Sequence, residues 1–448
     1  MDDIVPSKLL NDLSIAVSVI NRHDYIQVYS HYDADGISSA AIIANALRRA
    51  KKEFKVTLFT TLNDDVMDII RRQASECTIL SDLGASYIGE LGELDSEVIV
   101  LDHHTVQDVS DKVCYVNPHL YGIDGMTDGC GATVSLLFAV TMNEGNWDLV
   151  QLAFAGIAGD QQEKNGVTGL NVHLLNEGVR RGHIEVIKGS PLPAGDIGRE
   201  LFLSTYPYIS GISGNHDGIG RLMKDLGMSE GTNLMDLTED ERGKLFSLIT
   251  LMLTRNNVPV DVMARLFRHR YLLKDWNMSA DALASILNSC GRNGVGGMGI
   301  AAGLGDPDCL KDAQALDESS RMDIMDATLT LESKSLNQME NIQWFDSSTS
   351  GYTGIICEIA MSYLGDPNKP TIGVNVSEDH AKISSRATDG LLERGVDLSK
   401  AMSEACASVN GKGGGHRIAS GGSCPSNRVD EFLDNLNRIV GSQIRPSM

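Results

Sequence analysis

Four short apolar runs within the first 160 residues each end on acidic or imidazole side chains, and this pattern restricts the folds open to the chain. Tyr25-Ile26-Gln27-Val28-Tyr29-Ser30 leads into His31-Tyr32-Asp33-Ala34-Asp35-Gly36. Cys77-Thr78-Ile79-Leu80-Ser81 leads into Asp82-Leu83-Gly84, and Val98-Ile99-Val100-Leu101 into Asp102-His103-His104. The run 152–158 closes on Gly159-Asp160. Near-continuous apolar strands are those buried on both faces, as in a parallel sheet covered by helices. Further strands are expected at 54–59 and 113–116, and helices at 8–22, 36–52, 64–72, 132–140 and 148–158. The alternation predicts an α/β fold with an N-terminal, doubly wound, mostly parallel sheet. Such sheets place ligands at the C-terminal ends of their strands. All four motifs are therefore expected together at strand ends.

A chain of 448 residues exceeds one ordinary core, so two or more domains are expected. Hydrophobic content of 42% is that of a globular protein. No apolar run approaches the roughly 18 residues of a membrane span. The start Met1-Asp2-Asp3 lacks the basic-then-apolar pattern of a signal peptide, which points to a soluble, cytoplasmic protein. Eight cysteines are scattered singly without a CxxC pair, which argues against a zinc ribbon or disulfide framework. Net charge of −22 disfavours a broad nucleic-acid surface but leaves room for a narrow basic channel. From Lys382 onward, nine Lys and Arg face seven Asp and Glu, so that segment is locally positive.

The region 189–346 reads as a mostly helical middle segment, with helices expected at 239–255, 260–268 and 280–288. Gly291-Arg292-Asn293-Gly294-Val295-Gly296-Gly297-Met298-Gly299 reads as a glycine-rich turn. The last hundred residues predict a smaller α/β domain. It has helices at 352–363, 390–409 and 428–440, and a hairpin built from 370–376 and 381–385. Gly411-Lys412-Gly413-Gly414-Gly415-His416-Arg417 is expected as a turn. The resulting scheme is three segments: 1–188, 189–346 and 347–448.

Six metal-competent side chains come from the first-domain motifs: His31, Asp33, Asp35, Asp82, His103 and Asp160. Singly, each has a structural explanation: Asp33 or Asp35 as a helix N-cap, Asp82 as a turn residue. Together, four carboxylates cannot stay ionised side by side without cations. Mixed carboxylate and imidazole donors suit Mn²⁺, Fe²⁺, Co²⁺ or Zn²⁺. Six ligands exceed the needs of one open catalytic ion and fit two ions sharing a carboxylate. The glycine-rich turn, Gly413, Gly414 and Gly415 with His416, joins Arg386 as a candidate anion site, through backbone amides and charged donors.

The ordered combination of these motifs resembles the DHH phosphoesterase superfamily. The match rests on His31-Tyr32-Asp33-Ala34-Asp35-Gly36, Asp82, Asp102-His103-His104 and Gly159-Asp160, with Gly411-Lys412-Gly413-Gly414-Gly415-His416 resembling the glycine-rich motif of the associated DHHA1-like substrate-binding domain. Chain length and Asn288-Ser289-Cys290-Gly291-Arg292 are most similar to archaeal RecJ-like nucleases of the GINS-associated type. The resemblance implies a two-manganese site. His31, Asp33 and Asp82 would hold one ion; Asp35, Asp82, His103 and Asp160 the other, with Asp82 bridging. Asp102 would orient an imidazole, His104 would contact the scissile phosphate, and Arg386 and His416 would hold a substrate phosphate. The expected activity is exonucleolytic hydrolysis of single-stranded DNA or RNA in replication or repair, with GINS and the replicative helicase as partners. The alternatives are a phosphodiesterase or phosphatase for short oligonucleotides, cyclic dinucleotides or bisphosphate nucleotides, and a replication scaffold.

Overall fold

The computed structural model describes residues 4–73, 75–229 and 231–444. The acidic start Met1-Asp2-Asp3 lies outside the described residues. The chain divides into two compact units, Met1–Ala194 with Phe267–Glu318, and Gly195–Leu266 with Ser319–Met448. Among the described residues no helix is long and apolar enough to cross a membrane, and all eight cysteines are free, six of them buried.

The first unit is built on five parallel strands: β1 (Tyr25–His31), β2 (Glu53–Phe59), β3 (Cys77–Ser81), β4 (Glu97–Leu101) and β5 (Val113–Val116). Their order is β2-β1-β3-β4-β5. The chain therefore leaves β1 to one side for β2 and returns on the other for β3. That reversal opens a crevice at the C-terminal ends of β1 and β3. Alternate residues face opposite layers. Ile26, Val28, Ile79, Ile99 and Leu101 join one core, with α1 (Ser7–Asn21) and α2 (Ala34–Arg49). Tyr29, Leu80, Val98 and Val100 join another, with α3 (Asp64–Arg72) and α4 (Ile88–Leu91). The helices α5 (Gly131–Met142) and α6 (Val150–Gly159) complete the first layer, and α7 (Gly169–Arg180) follows. An antiparallel strand β6 (Ile184–Ile187) ends this stretch.

The chain then enters the second unit with α8 (Ile197–Phe202), α9 (His216–Asp225), α10 (Glu239–Arg255) and α11 (Val260–Leu266). It returns to the first with β7 (Arg270–Leu273) and β8 (Met278–Ser279), which join β6 in a small sheet, then α12 (Ala280–Arg292) and α13 (Gly296–Gly303). The glycine-rich segment 291–299 is thus not the turn expected of it. It is the end of α12, a short connection and the start of α13. Its glycines serve close packing on β1, β2 and α2. A Cβ at Gly291 would meet the Tyr32 carbonyl oxygen at 1.8 Å, and one at Gly296 the Leu58 side chain at 2.4 Å. Within α2 every residue from Ala34 to Leu47 is buried.

The chain passes into the second unit again within α14 (Pro307–Lys334). A six-stranded sheet follows: β9 (Asn337–Gln338), β10 (Gln343–Asp346), β11 (Thr371–Val376), β12 (His380–Arg386), β13 (Lys412–Gly415) and β14 (Ala419–Pro425). The order is β13-β14-β12-β11-β10-β9, antiparallel except for β10 with β11. The expected hairpin is present as β11 and β12. The expected helix at 390–409 is two pieces, α16 (Asp389–Glu393) and α17 (Leu398–Ser408), separated where Gly395 takes φ +101°. A short α15 (Thr353–Ile359) precedes β11, and α18 (Val429–Gln443) ends the unit.

Gly411 to His416, expected as a turn, instead contains the edge strand β13, paired with β14. The physical reason is packing. A Cβ at Gly413 would meet the Met402 carbonyl oxygen at 2.6 Å and Cys406 Sγ at 2.8 Å, so only bare backbone lets α17 lie against this edge. A Cβ at Gly414 would meet nothing within 4 Å. Gly413→Ala should therefore destabilise the fold by about 1–3 kcal/mol, the cost of overpacking a tight contact. Gly414→Ala should leave stability nearly unchanged, and denaturant midpoints of the two variants provide the comparison.

Candidate metal centre

The turn from β1 into α2 positions the first group. His31 closes β1, and its Nδ1 lies 2.9 Å from Asp33 Oδ2 and 3.6 Å from Asp82 Oδ2. Its Nε2 faces the Thr60 carbonyl oxygen at 3.3 Å, leaving Nδ1 toward the carboxylates. Asp33 is the N-cap of α2, and its Oδ1 accepts the Gly36 amide at 3.0 Å. The capping role and the site role thus coexist, one oxygen for each. Gly36 is required by the tightness of this turn, because a Cβ there would meet the His31 carbonyl oxygen at 2.3 Å. Asn288 Oδ1 accepts the Ala34 amide at 3.0 Å and braces the same turn.

Asp35 sits in the first turn of α2 and is 1% exposed. Its two oxygens accept the Gly131 and Ala132 amides, at 2.7 and 2.9 Å, at the N-terminus of α5. A helix N-terminus offers free amides and a partial positive charge to a carboxylate. Two glycines make room for it. A Cβ at Gly131 would lie 2.8 Å from Asp35 Oδ2, and one at Gly156 would lie 2.5 Å from Asp35 Oδ1. Sequence reasoning singles out neither glycine. The visible signals are Gly129-Cys130-Gly131 ahead of a helix, and Gly156 three residues before Gly159 in an apolar one.

Asp82 follows β3 directly and has a positive φ of 54°, a conformation that Asp tolerates better than most residues. This aims its carboxylate between the two imidazoles. Oδ2 faces His31, while Oδ1 lies 3.1 Å from His103 Nε2. His103 Nε2 is also 3.3 Å from Asp160 Oδ2 and 3.8 Å from Asp35 Oδ2. The other nitrogen, Nδ1, is 2.8 Å from the Gly125 carbonyl oxygen, to which it donates. Asp160 caps the C-terminus of helix α6. That helix is the one expected at 148–158, so of the four motifs this one closes a helix and not a strand, and the site is assembled from three strand ends and one helix end.

Asp102 is fully buried and faces inward. Its Oδ2 accepts the Ala85 amide at 2.8 Å, and its Oδ1 accepts the His103 amide at 2.7 Å and His104 Nδ1 at 2.8 Å. It fixes the strand end and orients the His104 ring. His104 is half-exposed, with Nδ1 3.9 Å from Asp82 Oδ1. The hydrogen bond to Asp102 raises its pKa, favouring the imidazolium.

Electrostatics mark this cluster as a cation site. Burial and the Asp82 charge push Asp35 up to about 7, and burial with the Asp35 charge pushes Asp160 well above the usual carboxylate range. Burial also works to raise Asp82, but hydrogen bonds with His103 and His31 hold it below that range. Burial works to lower His31, yet its hydrogen bonds to Asp33 and Asp82 raise it to about 11. The cluster takes up protons wherever it lacks a cation. Three groups of side chains have ligand atoms close enough to share an ion: His31, Asp33 and Asp82; Asp35, His103 and Asp160; and Asp82 with Asp102, His103 and His104. Oxygen and imidazole donors of this kind fit a divalent transition ion.

The second unit brings Arg386 and His416 to one end of its sheet. Arg386 pairs in register with Ala419, whose carbonyl oxygen accepts the His416 amide at 2.9 Å. Gly413, Gly414 and Gly415 pair with Gly422, Gly421 and Ser420. Gly413 is committed to packing; Gly414 and the exposed His416 are not.

Residues 25–157 match the family model described as the DHH family, N-terminal domain, and residues 343–442 match that of the DHHA1 domain. An uncharacterized protein of Methanocaldococcus jannaschii is 30% identical over 442 residues, covering 96% of this chain and 97% of that one. This chain belongs to the DHH phosphoesterase superfamily. The DHH protein is also similar in fold to a solved exonuclease RecJ bound to manganese, with TM-score 0.60, 17% identity, and coverage of 98% of this chain and 96% of that one. CDC45 from Entamoeba histolytica gives TM-score 0.63 at 12% identity, covering 97% and 98%. RecJ from Thermus thermophilus in complex with Mn²⁺ gives 0.59 at 18%, with 99% of this chain spanning 56% of that longer one. The DHH protein is therefore RecJ-like in architecture and a phosphoester hydrolase by class.

Asp82 and His104 should separate in their effects. Asp82→Asn keeps a residue that tolerates positive φ but removes a charge shared by both ligand groups. It should lower bound metal, measured by elemental analysis, and abolish hydrolysis. His104→Ala should keep its metal and lose about a hundredfold to a thousandfold in turnover, typical of one lost donor to developing charge.

Proposed function

We propose that this DHH protein is a metal-dependent phosphodiesterase that digests single-stranded DNA or RNA as a RecJ-like exonuclease, acting in replication or repair. The observation that carries this reading is the Asp82 carboxylate, whose two oxygens face two separate ligand groups. His31, Asp33 and Asp82 would hold one divalent ion, and Asp35, Asp82, His103 and Asp160 a second, with Mn²⁺ favoured by the donor set. When bound, such ions polarise a phosphoryl oxygen and lower the pKa of water. The chain's own residues do the rest. Asp102 holds the His104 ring, and the imidazolium donates to the phosphoryl group as charge builds on it. Arg386 and His416 hold a substrate phosphate from the DHHA1-like domain, 347–448, while the catalytic domain spans 1–188.

Support for a strand substrate comes from one face of the C-terminal sheet. Lys382, Ser423 and Lys412 share one row across β12, β14 and β13. Both lysines are exposed and make no ion pair among the described residues. Arg386 lies four residues along β12 from Lys382, about 13 Å by strand rise, and between the rows Gly414 and Gly421 leave the backbone bare. A cationic row in a protein of net charge −22 suits a polyanion. The same net charge favours a second reading, hydrolysis of short oligonucleotides or other small phosphodiesters. GINS and the replicative helicase are proposed partners of the nuclease reading, and the cytoplasm its proposed location.

End-labelled single-stranded DNA and RNA of increasing length, incubated with Mn²⁺, should be shortened from one end, with rates maintained or rising with length. A rate falling steeply beyond a few nucleotides would select the small-substrate reading. Chelation should abolish activity and Mn²⁺ should restore it best; full activity with metal shown to be absent would sink the mechanism.

Arg386→Ala should leave metal content unchanged and weaken substrate binding. Its salt dependence should flatten by about 0.7 on the log–log scale, one phosphate contact on a single strand. Loss of metal from the folded variant would contradict the assignment.

A further inference from the structure

The ring of His103 is oriented by a carbonyl that belongs to no helix or strand. Gly125 lies in the connection between β5 and α5, where a Cβ would meet the His103 carbonyl oxygen at 2.1 Å. The position is thus confined to glycine, the residue whose backbone is least restrained by itself. Something else must hold its carbonyl still. That carbonyl accepts a second hydrogen bond, from Gln162 Nε2 at 2.9 Å. Gln162 Oε1 in turn accepts from Asn171 Nδ2 at 2.8 Å, and Asn171 Oδ1 accepts from Thr133 Oγ1 at 2.6 Å. Gln162 is 7% exposed, and Asn171 and Thr133 are fully buried. Every donor in the series points toward Gly125.

We infer that Gln162 and Asn171 are positioning residues, which fix the Gly125 carbonyl so that His103 keeps its proton on Nδ1 and presents Nε2 to the carboxylates. Buried polar side chains are costly unless each finds its partner, and a fully satisfied series of this kind holds one geometry. The second hydrogen bond at Gly125 polarises the carbonyl that His103 uses. Thr133 stands in the first turn of α5, directly after the Gly131 and Ala132 amides that hold Asp35. One helix end therefore sets Asp35 directly and His103 through three side chains. Residues that orient a ligating imidazole commonly contribute tenfold to a hundredfold to metal affinity.

The inference rests on the metal-centre reading, and its test includes a measurement that needs no metal. In wild type without metal, proton–nitrogen NMR of the histidine rings should show the His103 Nδ1 proton held in its hydrogen bond to the Gly125 carbonyl, downfield and slow to exchange. Gln162→Met keeps length without the donor, and Gln162→Glu keeps a polar group that cannot donate as a carboxylate. Both should speed exchange of that ring proton and weaken the Mn²⁺ ion at Asp35, His103 and Asp160 about tenfold or more in a calorimetric titration. The ion at His31, Asp33 and Asp82 should be changed far less. Asn171→Leu should act in the same direction with a smaller effect. Circular dichroism and thermal midpoints establish that each variant is folded. An unchanged Nδ1 proton signal and Mn²⁺ affinity in folded Gln162→Met would overturn the inference, as would equal weakening of both ions. A wild type that binds no second ion, with its His103 Nδ1 proton signal still dependent on Gln162, would instead overturn the two-ion reading and leave the positioning role in place.

Discussion

Mutual repulsion among four buried or half-buried carboxylates is the constraint around which the first unit is built. Asp33, Asp35, Asp82 and Asp160 converge on two imidazoles, and three of the carboxylates are held by specific contacts. The amides at the start of α5 hold Asp35, the Gly36 amide holds one oxygen of Asp33, and the two histidines face the oxygens of Asp82. These contacts keep the ligands in place while leaving charge for a cation to neutralise. Asp82 is central because its two oxygens face one imidazole in each group, and it does so from a backbone conformation few side chains adopt without strain.

Rigidity around the site comes from helix α2, which is enclosed by the sheet, α5, α6, α12 and α13. Such enclosure requires close approach on several sides, and the glycines at 156, 291, 296 and 303 provide it. A Cβ at Gly303 would meet the Ala41 Cβ at 2.6 Å, so the packing leaves no slack for a methyl group. Since α2 carries both Asp33 at its cap and Asp35 in its first turn, the dense packing of one helix becomes the positional precision of two ligands.

The glycines of the C-terminal sheet divide into two kinds by the face they serve. Gly413 and Gly422 lie beneath α17, where a Cβ would strike Cys406 Sγ at 2.8 and 2.6 Å. Gly414 and Gly421 lie on the opposite face, where a Cβ at Gly414 would meet nothing within 4 Å and one at Gly421 only the Ile383 carbonyl oxygen at 3.5 Å. Packing accounts for the first pair and leaves the second unexplained, and it is the second pair that borders Lys382, Lys412, Arg386 and His416. One glycine-rich segment thus serves the core and a candidate binding face at once, through the two-residue period of a strand.

The parallel sheet, its strand ends and most of the ligand set are legible in sequence, because a strand buried on both faces stands out as an apolar run and its polar terminus is the first break in that run. His31, Asp82, Asp102, His103 and His104 are visible for that reason. Glycines are legible only as freedom. That freedom suggests turns at 291–299 and 411–416, where the chain instead uses it for helix packing and an edge strand. The helix before Asp160 is legible at 148–158, but not that its end joins three strand ends, since an apolar helix buried all round has no amphipathic period to show which way it faces. What tertiary structure alone decided is the pairing of groups far apart in the chain: Gly131 and Ala132 with Asp35, Asn288 with Ala34, and Thr133, Asn171 and Gln162 with the carbonyl that turns His103. A hydrogen bond between buried side chains leaves no periodic trace in sequence, because its partners need only meet in space.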